Sequence, residues 1–287
     1  LKIKLKFTIK PQLDKKVIKY FLKVLPAFAL AGVFIKIYNT SDTILLSYLV
    51  DDTAVGFFAV PAKIVFAFQQ IVPAAFAAVI YPAFSYYYAN SKEMLNKTFT
   101  KAFTYLVIIS IPLSAGLAIL APEIISLVWP NYTAVIPTFL IMSLAIPFIF
   151  LAFPTGHLLN ACDRQKITTF NRGVITIIAI VLNITLIPQF SYLGAGITFL
   201  VTNLILLFMD LFWVREIIDL QVYKTLKIVF KSAIASLIMV LIIIMAKLYI
   251  NLLLVIPLGV LTYFVTLYTL KGFSMQELAN IKKNLQA

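Results

Sequence analysis

Residues 168–188 read TTFNRGVITIIAIVLNITLIP, and this stretch decides the fold. It carries a single charge, Arg172. About 20 mainly apolar residues are what a helix needs to cross a bilayer. The stretch does not alternate in polarity as a barrel strand would. Only helices and closed barrels satisfy their own backbone in lipid, so it reads as a transmembrane helix. Working outward, comparable runs fall at 24–49, 55–82, 102–121, 133–159, 194–214, 232–250 and 252–270. Turn formers and charges separate them, as at Asp51-Asp52, Ser91-Lys92-Glu93 and Pro130-Asn131-Tyr132. The expectation is an all-α, polytopic membrane protein with about eight transmembrane helices.

Composition agrees. The 287 residues are 62% hydrophobic and 12% charged, with a mean hydropathy of +1.00. Soluble domains run near 45–50% apolar and about 25% charged. A soluble domain, a disordered chain and a disulfide scaffold are excluded. The lone Cys162 and lone His157 leave too few ligands for a zinc site, and no metal or cofactor is expected.

The net charge of +13 is a matter of placement. All of the 24 cations except Lys36, Lys63 and Lys247 fall in the amino-terminal segment, in alternate loops or in the tail. Arg164, Lys166 and Arg172 form one such loop group, and Arg215, Lys224, Lys227 and Lys231 another. The intervening loops hold only the acids Asp51, Asp52 and Glu123, or no charge. This is the positive-inside pattern, which predicts a multi-pass protein of the cell membrane with both termini cytoplasmic. Nucleic acid is not an expected partner; membrane lipid is.

Function has to come from the polar residues left inside. Lys247 sits near the outer end of its span, where it can snorkel. Lys36, Lys63 and Asp42 are deeper. Asp42 lies nine residues before Asp51, or about 13 Å along a helix, and Lys63 about as far into the next, antiparallel span. A buried charge needs a partner or a wet cavity. Two readings stay open: an ion pair pinning two helices, or a proton- or substrate-linked pair in a transport cavity. Lys36, Thr40, Thr43 and Ser47, with Asn39 beside them, mark a polar stripe on the first span. Lys63 and Gln70 mark one on the second, Arg172, Thr176 and Asn183 on the fifth, and Gly196, Asn203 and Asp210 on the sixth. Such stripes suit helices around a hydrated cavity, although small and polar residues also serve plain packing. Pro61, Pro73, Pro137, Pro147, Pro154 and Pro257 lie within spans and can kink them. No phosphate loop, HExxH or GxSxG is present, His157 reads as interfacial, and enzyme chemistry is not expected. The runs at 232–250 and 252–270 are almost uniformly aliphatic and read as a peripheral pair.

In order, several segments resemble the carboxy-terminal half of Wzx-type polysaccharide flippases, in the superfamily of the MATE drug exporters and the lipid II flippase. They are Asp42 in the first span, Ala54-Val55-Gly56-Phe57-Phe58 leading to Ala62-Lys63-Ile64, and Tyr81-Pro82-Ala83-Phe84-Ser85. Next come Gly116-Leu117-Ala118 before Ala121-Pro122-Glu123-Ile124-Ile125, then Leu182-Asn183-Ile184-Thr185-Leu186-Ile187-Pro188 followed by Gly194-Ala195-Gly196. The tail Ser274-Met275-Gln276-Glu277-Leu278 is similar too. The resemblance implies a half-transporter moving polyprenyl-phosphate-linked glycans by alternating access. Its parts would be a basic cytoplasmic segment 1–23, a six-helix bundle 24–214, a linker 215–231, an accessory helix pair 232–270 and a tail 271–287. It implies a missing amino-terminal half as partner, in cis or in trans, and the chain's basic opening at Leu1 reads as an internal linker. Lys36 and Lys63 would hold the carrier's phosphates, Asn39, Gln70 and Asn183 would line the path, and Asp42 would couple ions. A MATE-like multidrug exporter and a membrane-embedded glycan ligase or polymerase are the alternatives.

Overall fold

The computed structural model describes residues 14–272. Lys2, Lys4, Lys6 and Lys10, together with the tail residues 273–287 that include Lys282 and Lys283, lie outside the described residues, as does the side chain of Lys23. The helices are α1 (Lys15–Leu49), α2 (Asp52–Ile71), α3 (Pro73–Asn90), α4 (Lys92–Ile119) and α5 (Ala121–Val128). A 3-10 turn (Pro130–Val135) follows, then α6 (Ile136–Leu144), α7 (Ile146–Ala161), α8 (Gln165–Phe190), α9 (Tyr192–Val214), α10 (Val222–Ala246) and α11 (Leu252–Thr269). The described residues contain no strand.

Seven helical segments among the described residues are long and apolar enough to cross a membrane: Asp52–Asn90, Lys92–Ile119, Pro130–Ala161, Gln165–Phe190, Tyr192–Val214, Val222–Ala246 and Leu252–Thr269. Each matches one of the expected stretches: four contain theirs whole, and the stretches at 102–121, 232–250 and 252–270 run one to four residues past the helix ends. The remaining stretch, 24–49, lies in α1, whose 35 residues exceed the length of a crossing. The protein is an all-helical, multi-pass membrane protein.

Prolines divide two of the spans. Pro61, Pro154 and Pro257 lie inside helices, whereas Pro73, Pro137 and Pro147 begin α3, α6 and α7. At a helix start the missing N–H has no intrahelical partner to lose. The spans Asp52–Asn90 and Pro130–Ala161 are therefore each assembled from shorter helices. Asp51, one of the acids between the first two spans, caps α2: its Oδ1 accepts from the Ala54 N–H at 2.7 Å.

Within lipid, packing follows small and polar residues rather than apolar bulk. On α8, Thr176, Ala179 and Asn183 are buried while Ile177, Val181 and Ile184 face outward. A Cβ on Gly173 would stand 3.0 Å from the Phe34 ring, which brings α1 close against α8. The Thr176 hydroxyl reaches across the same contact toward the Phe34 carbonyl, at 3.2 Å. The helices α3, α4, α6, α7 and α9 complete this bundle.

The α8–α9 turn is tight. Ser191 has φ of 51°, a left-handed backbone for a residue with a Cβ. A Cβ on Gly194 would land on the Leu186 carbonyl, a backbone group that cannot move aside. Gly194→Ala is expected to destabilise the protein by about 1–3 kcal/mol, as overpacking does. The thermal midpoint in detergent should fall accordingly, and an unchanged midpoint would mean that the turn has room.

α10 and α11 form a second apolar cluster with α4, through Ile108, Leu120, Ala235, Met239, Ile243, Val255, Tyr263 and Leu267. Tyr263 donates to the Ile108 carbonyl at 2.7 Å and meets the Ser232 hydroxyl at 2.7 Å. Lys247 does not simply snorkel: its Nζ pairs with Glu123 Oε1 of α5 at 2.8 Å. Being partly shielded, this pair fixes α10 to the short helix α5. At the opposite end, Lys92 pairs with Asp219 and Arg164 with Glu216, at 3.7 and 3.6 Å. These exposed pairs add little stability. They do place the starts of α4 and α8 and the 215–221 linker at one end of the bundle, where the basic loops were expected to gather.

Candidate substrate cavity

A cavity of about 690 Å³ opens between α1, α2, α7, α8 and α9. α1 contributes Phe28, Ala31, Gly32, Ile35, Tyr38, Asn39 and Asp42, residues one helical face apart. α2 contributes Phe58, Ala62, Lys63, Phe66 and Gln69. From α7 come Phe153, Gly156, His157 and Asn160, and from α8 Gln165, Thr168, Thr169, Arg172 and Thr176. Phe199, Asn203 and Leu206 of α9 close the wall. Apolar and aromatic residues, glycines included, make up over half of the lining, with ten polar residues such as Asn39, Gln69 and Asn203 and the two cations Lys63 and Arg172 among them.

Lys63, Asn39 and Asp42 thus meet in one cavity. No ion pair joins Lys63 to Asp42. The Asp42 carboxylate is buried and accepts a hydrogen bond from the Asn183 amide instead, which ties α1 to α8. Asn183 is fully buried behind the wall, and its own Oδ1 has no hydrogen-bond partner. Lys63 is exposed to the cavity.

Lys36 and Gln70 are not brought to the lining. Lys36 is exposed one turn beyond Gly32, at the margin of the α1 face that lines the cavity. Thr43 and Ser47, from the same expected stripe, are exposed as well. The cavity-facing stripe of α1 is turned about one residue from the one drawn in sequence, roughly 100° on a helix. Gln70 is exposed one turn beyond Phe66, and its neighbour Gln69 lines the cavity in its place.

Sequence reasoning names three more groups without giving them a role in the site. Arg172, grouped with a basic loop as well as with the stripe of its span, lies within α8 and lines the cavity. Asp210 of α9 is fully buried and accepts from Asn171 Nδ2 at 2.8 Å. His157 lines the cavity and packs edge-on against Tyr81, ring centroids 5.7 Å apart. The signal for α7 was present: Phe153, Gly156, His157 and Asn160 recur at helical spacing. Tyr38, another omission, holds α1 to α9 by a 2.8 Å contact with the Thr202 hydroxyl and by accepting from Asn203 at 3.2 Å.

Residues 1–137 match the family described as polysaccharide biosynthesis protein. A Haloferax volcanii protein named "Probable flippase AglR" is 29% identical over 172 residues, which is 58% of this chain and 35% of that protein. An uncharacterised membrane protein of Methanocaldococcus jannaschii is 27% identical over 146 residues, 50% of this chain and 29% of its own length. The inward closed structure of the lipid II flippase MurJ superposes with a TM-score of 0.72, at 18% identity, over 90% of this chain and 55% of that one. The chain shares the fold of that flippase. An outward-facing multidrug MATE transporter of the MOP superfamily is a more distant structural neighbour, with a TM-score of 0.54 at 17% identity over 83% of this chain and 61% of that one. The chain's matches span about a third of the curated relatives' length and little more than half of the superposed transporters.

Proposed function

We propose that the chain is one lobe, the carboxy-terminal one, of a flippase that carries polyprenyl-linked oligosaccharides across the cell membrane by alternating access. The observation that carries this reading is the cavity itself: a largely apolar, aromatic-walled space at membrane depth whose wall carries Lys63 and Arg172, neither in an ion pair among the described residues. A lipid-linked glycan combines a phosphate anion with a polar sugar and an apolar tail, and such a wall suits the first and the last. The relatives named flippases support the same reading. A second lobe, in cis or in trans, would close the cavity, and α10 and α11 would be accessory helices.

Lys63 contacts the carrier's phosphate and Lys36 stands at the rim where it enters. Asn39 lines the path, Asn183 acts through Asp42, and Gln70 lies just past the lining. Asp42 is the ion-coupling group. The basic loops face the cytoplasm, as do both termini. A flippase moves its substrate without making a bond, so no covalent step is assigned to any residue.

Reconstitution tests this directly. Vesicles holding the assembled transporter and a labelled lipid-linked oligosaccharide are expected to move the label across the bilayer, read as protection from an impermeant glycosidase. Efflux of cationic dyes with no movement of the glycan would point to a drug exporter, and appearance of a longer glycan to a ligase or polymerase.

A further inference from the structure

Two opposite charges that the cavity does not pair converge on Gly156. Asp210 Oδ2 and Arg172 Nη2 stand 3.8 and 3.9 Å from the point where a Cβ on Gly156 would be. Asp210 is fully buried. Its Oδ1 accepts from Asn171, while Oδ2 has no hydrogen-bond partner. The neighbouring Thr155 hydroxyl also lies within reach of the Leu151 and Ala152 carbonyls, at 3.3 and 3.0 Å, so it is shared among several acceptors. The Arg172 guanidinium makes no ion pair or hydrogen bond among the described residues and lies on the cavity wall. A guanidinium stays protonated, and its planar fork matches a carboxylate or a phosphate equally well.

We propose that Arg172 is an exchangeable anion-binding group: Asp210 is its resting counter-ion, and a diphosphate entering the cavity takes the guanidinium over. The neighbours Asn171 and Arg172 divide the work. One side chain turns inward and holds the Asp210 carboxylate in place, while the next turns roughly 100° away into the cavity. The glycine at 156 leaves the space between the two charges open. The anion and Asp210 compete for one cation, so the anion's affinity depends on what Asp210 offers in return. Arg172 contacts the ligand, and Asp210 acts through it as a positioning residue. This rests on the flippase reading and names the group that holds the carrier's phosphates.

The test is direct binding of a polyprenyl diphosphate, and separately of inorganic pyrophosphate, to the purified 287-residue chain in detergent. Arg172→Gln is expected to weaken binding of the lipid diphosphate at least tenfold, and Arg172→Lys to restore part of it. Asp210→Asn, which keeps the shape but removes the competing charge, is expected to tighten binding about three- to tenfold. A merely structural carboxylate would not do that. The fluorescence of Trp129 and Trp213 during heating confirms that each variant is folded. Pyrophosphate binding alone would assign the site to free phosphates and overturn the lipid-carrier assignment. If the wild-type chain binds the lipid and Arg172→Gln binds it equally, this proposal fails and the flippase reading stands. An Asp210→Asn variant that is folded and binds no tighter also overturns the exchange. If the wild type binds neither probe, the exchange proposal is overturned, and glycan movement by the assembled transporter in vesicles decides the flippase reading separately.

Discussion

Replacing Lys63 by Ala in the assembled transporter is expected to lower glycan export about 100-fold while sparing insertion and folding. Lys63 is exposed on α2 and lines the cavity without an ion pair or hydrogen bond among the described residues. Its removal therefore orphans no partner, and an exposed substitution of this kind changes stability by less than about 0.5 kcal/mol. The ammonium's gain comes only with the substrate. A charge-assisted bond to phosphate in a shielded cavity contributes about 1.5–3 kcal/mol, and every 1.4 kcal/mol is tenfold. Lys63→Arg should keep part of the activity, because the positive charge remains while the geometry changes. Export is read as labelled glycan reaching the outer face, and insertion as the amount of protein in the membrane fraction. Normal export from Lys63→Ala would remove Lys63 from the substrate path.

Much of this was legible in the sequence, for reasons that differ residue by residue. The spans were legible because lipid demands long apolar runs, and no tertiary contact can overrule that demand. The stripe Arg172, Thr176, Asn183 on α8 was legible because α8 is nearly regular and packed on one face, so its polar residues fall at helical spacing. On α1 the polar residues Thr40, Thr43 and Ser47 mark a face that lies outside this cavity, whereas the wall joins Phe28, Ala31, Ile35 and Tyr38 to Asn39 and Asp42. The mainly apolar part of that wall leaves no polar signature, so the periodicity of the threonines and Ser47 points about one residue off. The pairing of charges could not be read at all. Asp42 and Lys63 share a depth, but Asn183 from a helix about 140 residues away takes the carboxylate. Lys247 likewise found Glu123 across a distance of 124 residues. Depth follows from counting residues, while partnership depends on helix rotation and on which helices meet.

Asp42 supplies the second large effect, and two substitutions separate its possible roles. It is almost wholly buried and accepts from Asn183, whose Oδ1 is already without a partner. Asp42→Ala leaves the Asn183 amide with no acceptor and is expected to cost about 1–3 kcal/mol of stability. Asp42→Asn keeps the size and an accepting oxygen, so the tie between α1 and α8 survives while the charge is lost. If Asp42 carries the coupling cation or proton, Asp42→Asn should lower export tenfold or more with little change in thermal midpoint. The transport that remains should no longer respond when the proton or sodium gradient across the vesicle is collapsed. If Asp42 only pins two helices, Asp42→Asn should export at the wild-type rate, and the loss in Asp42→Ala should follow its stability. Initial rates in vesicles, with and without an imposed gradient, decide between these. The coupling role requires the gradient response to vanish with the charge, because a ligand or ion shifts a conformational equilibrium only by its differential affinity for the two states. A carboxylate tied to Asn183 at the α1–α8 contact is placed to sense the approach of those helices, and its charge is what a cation would read.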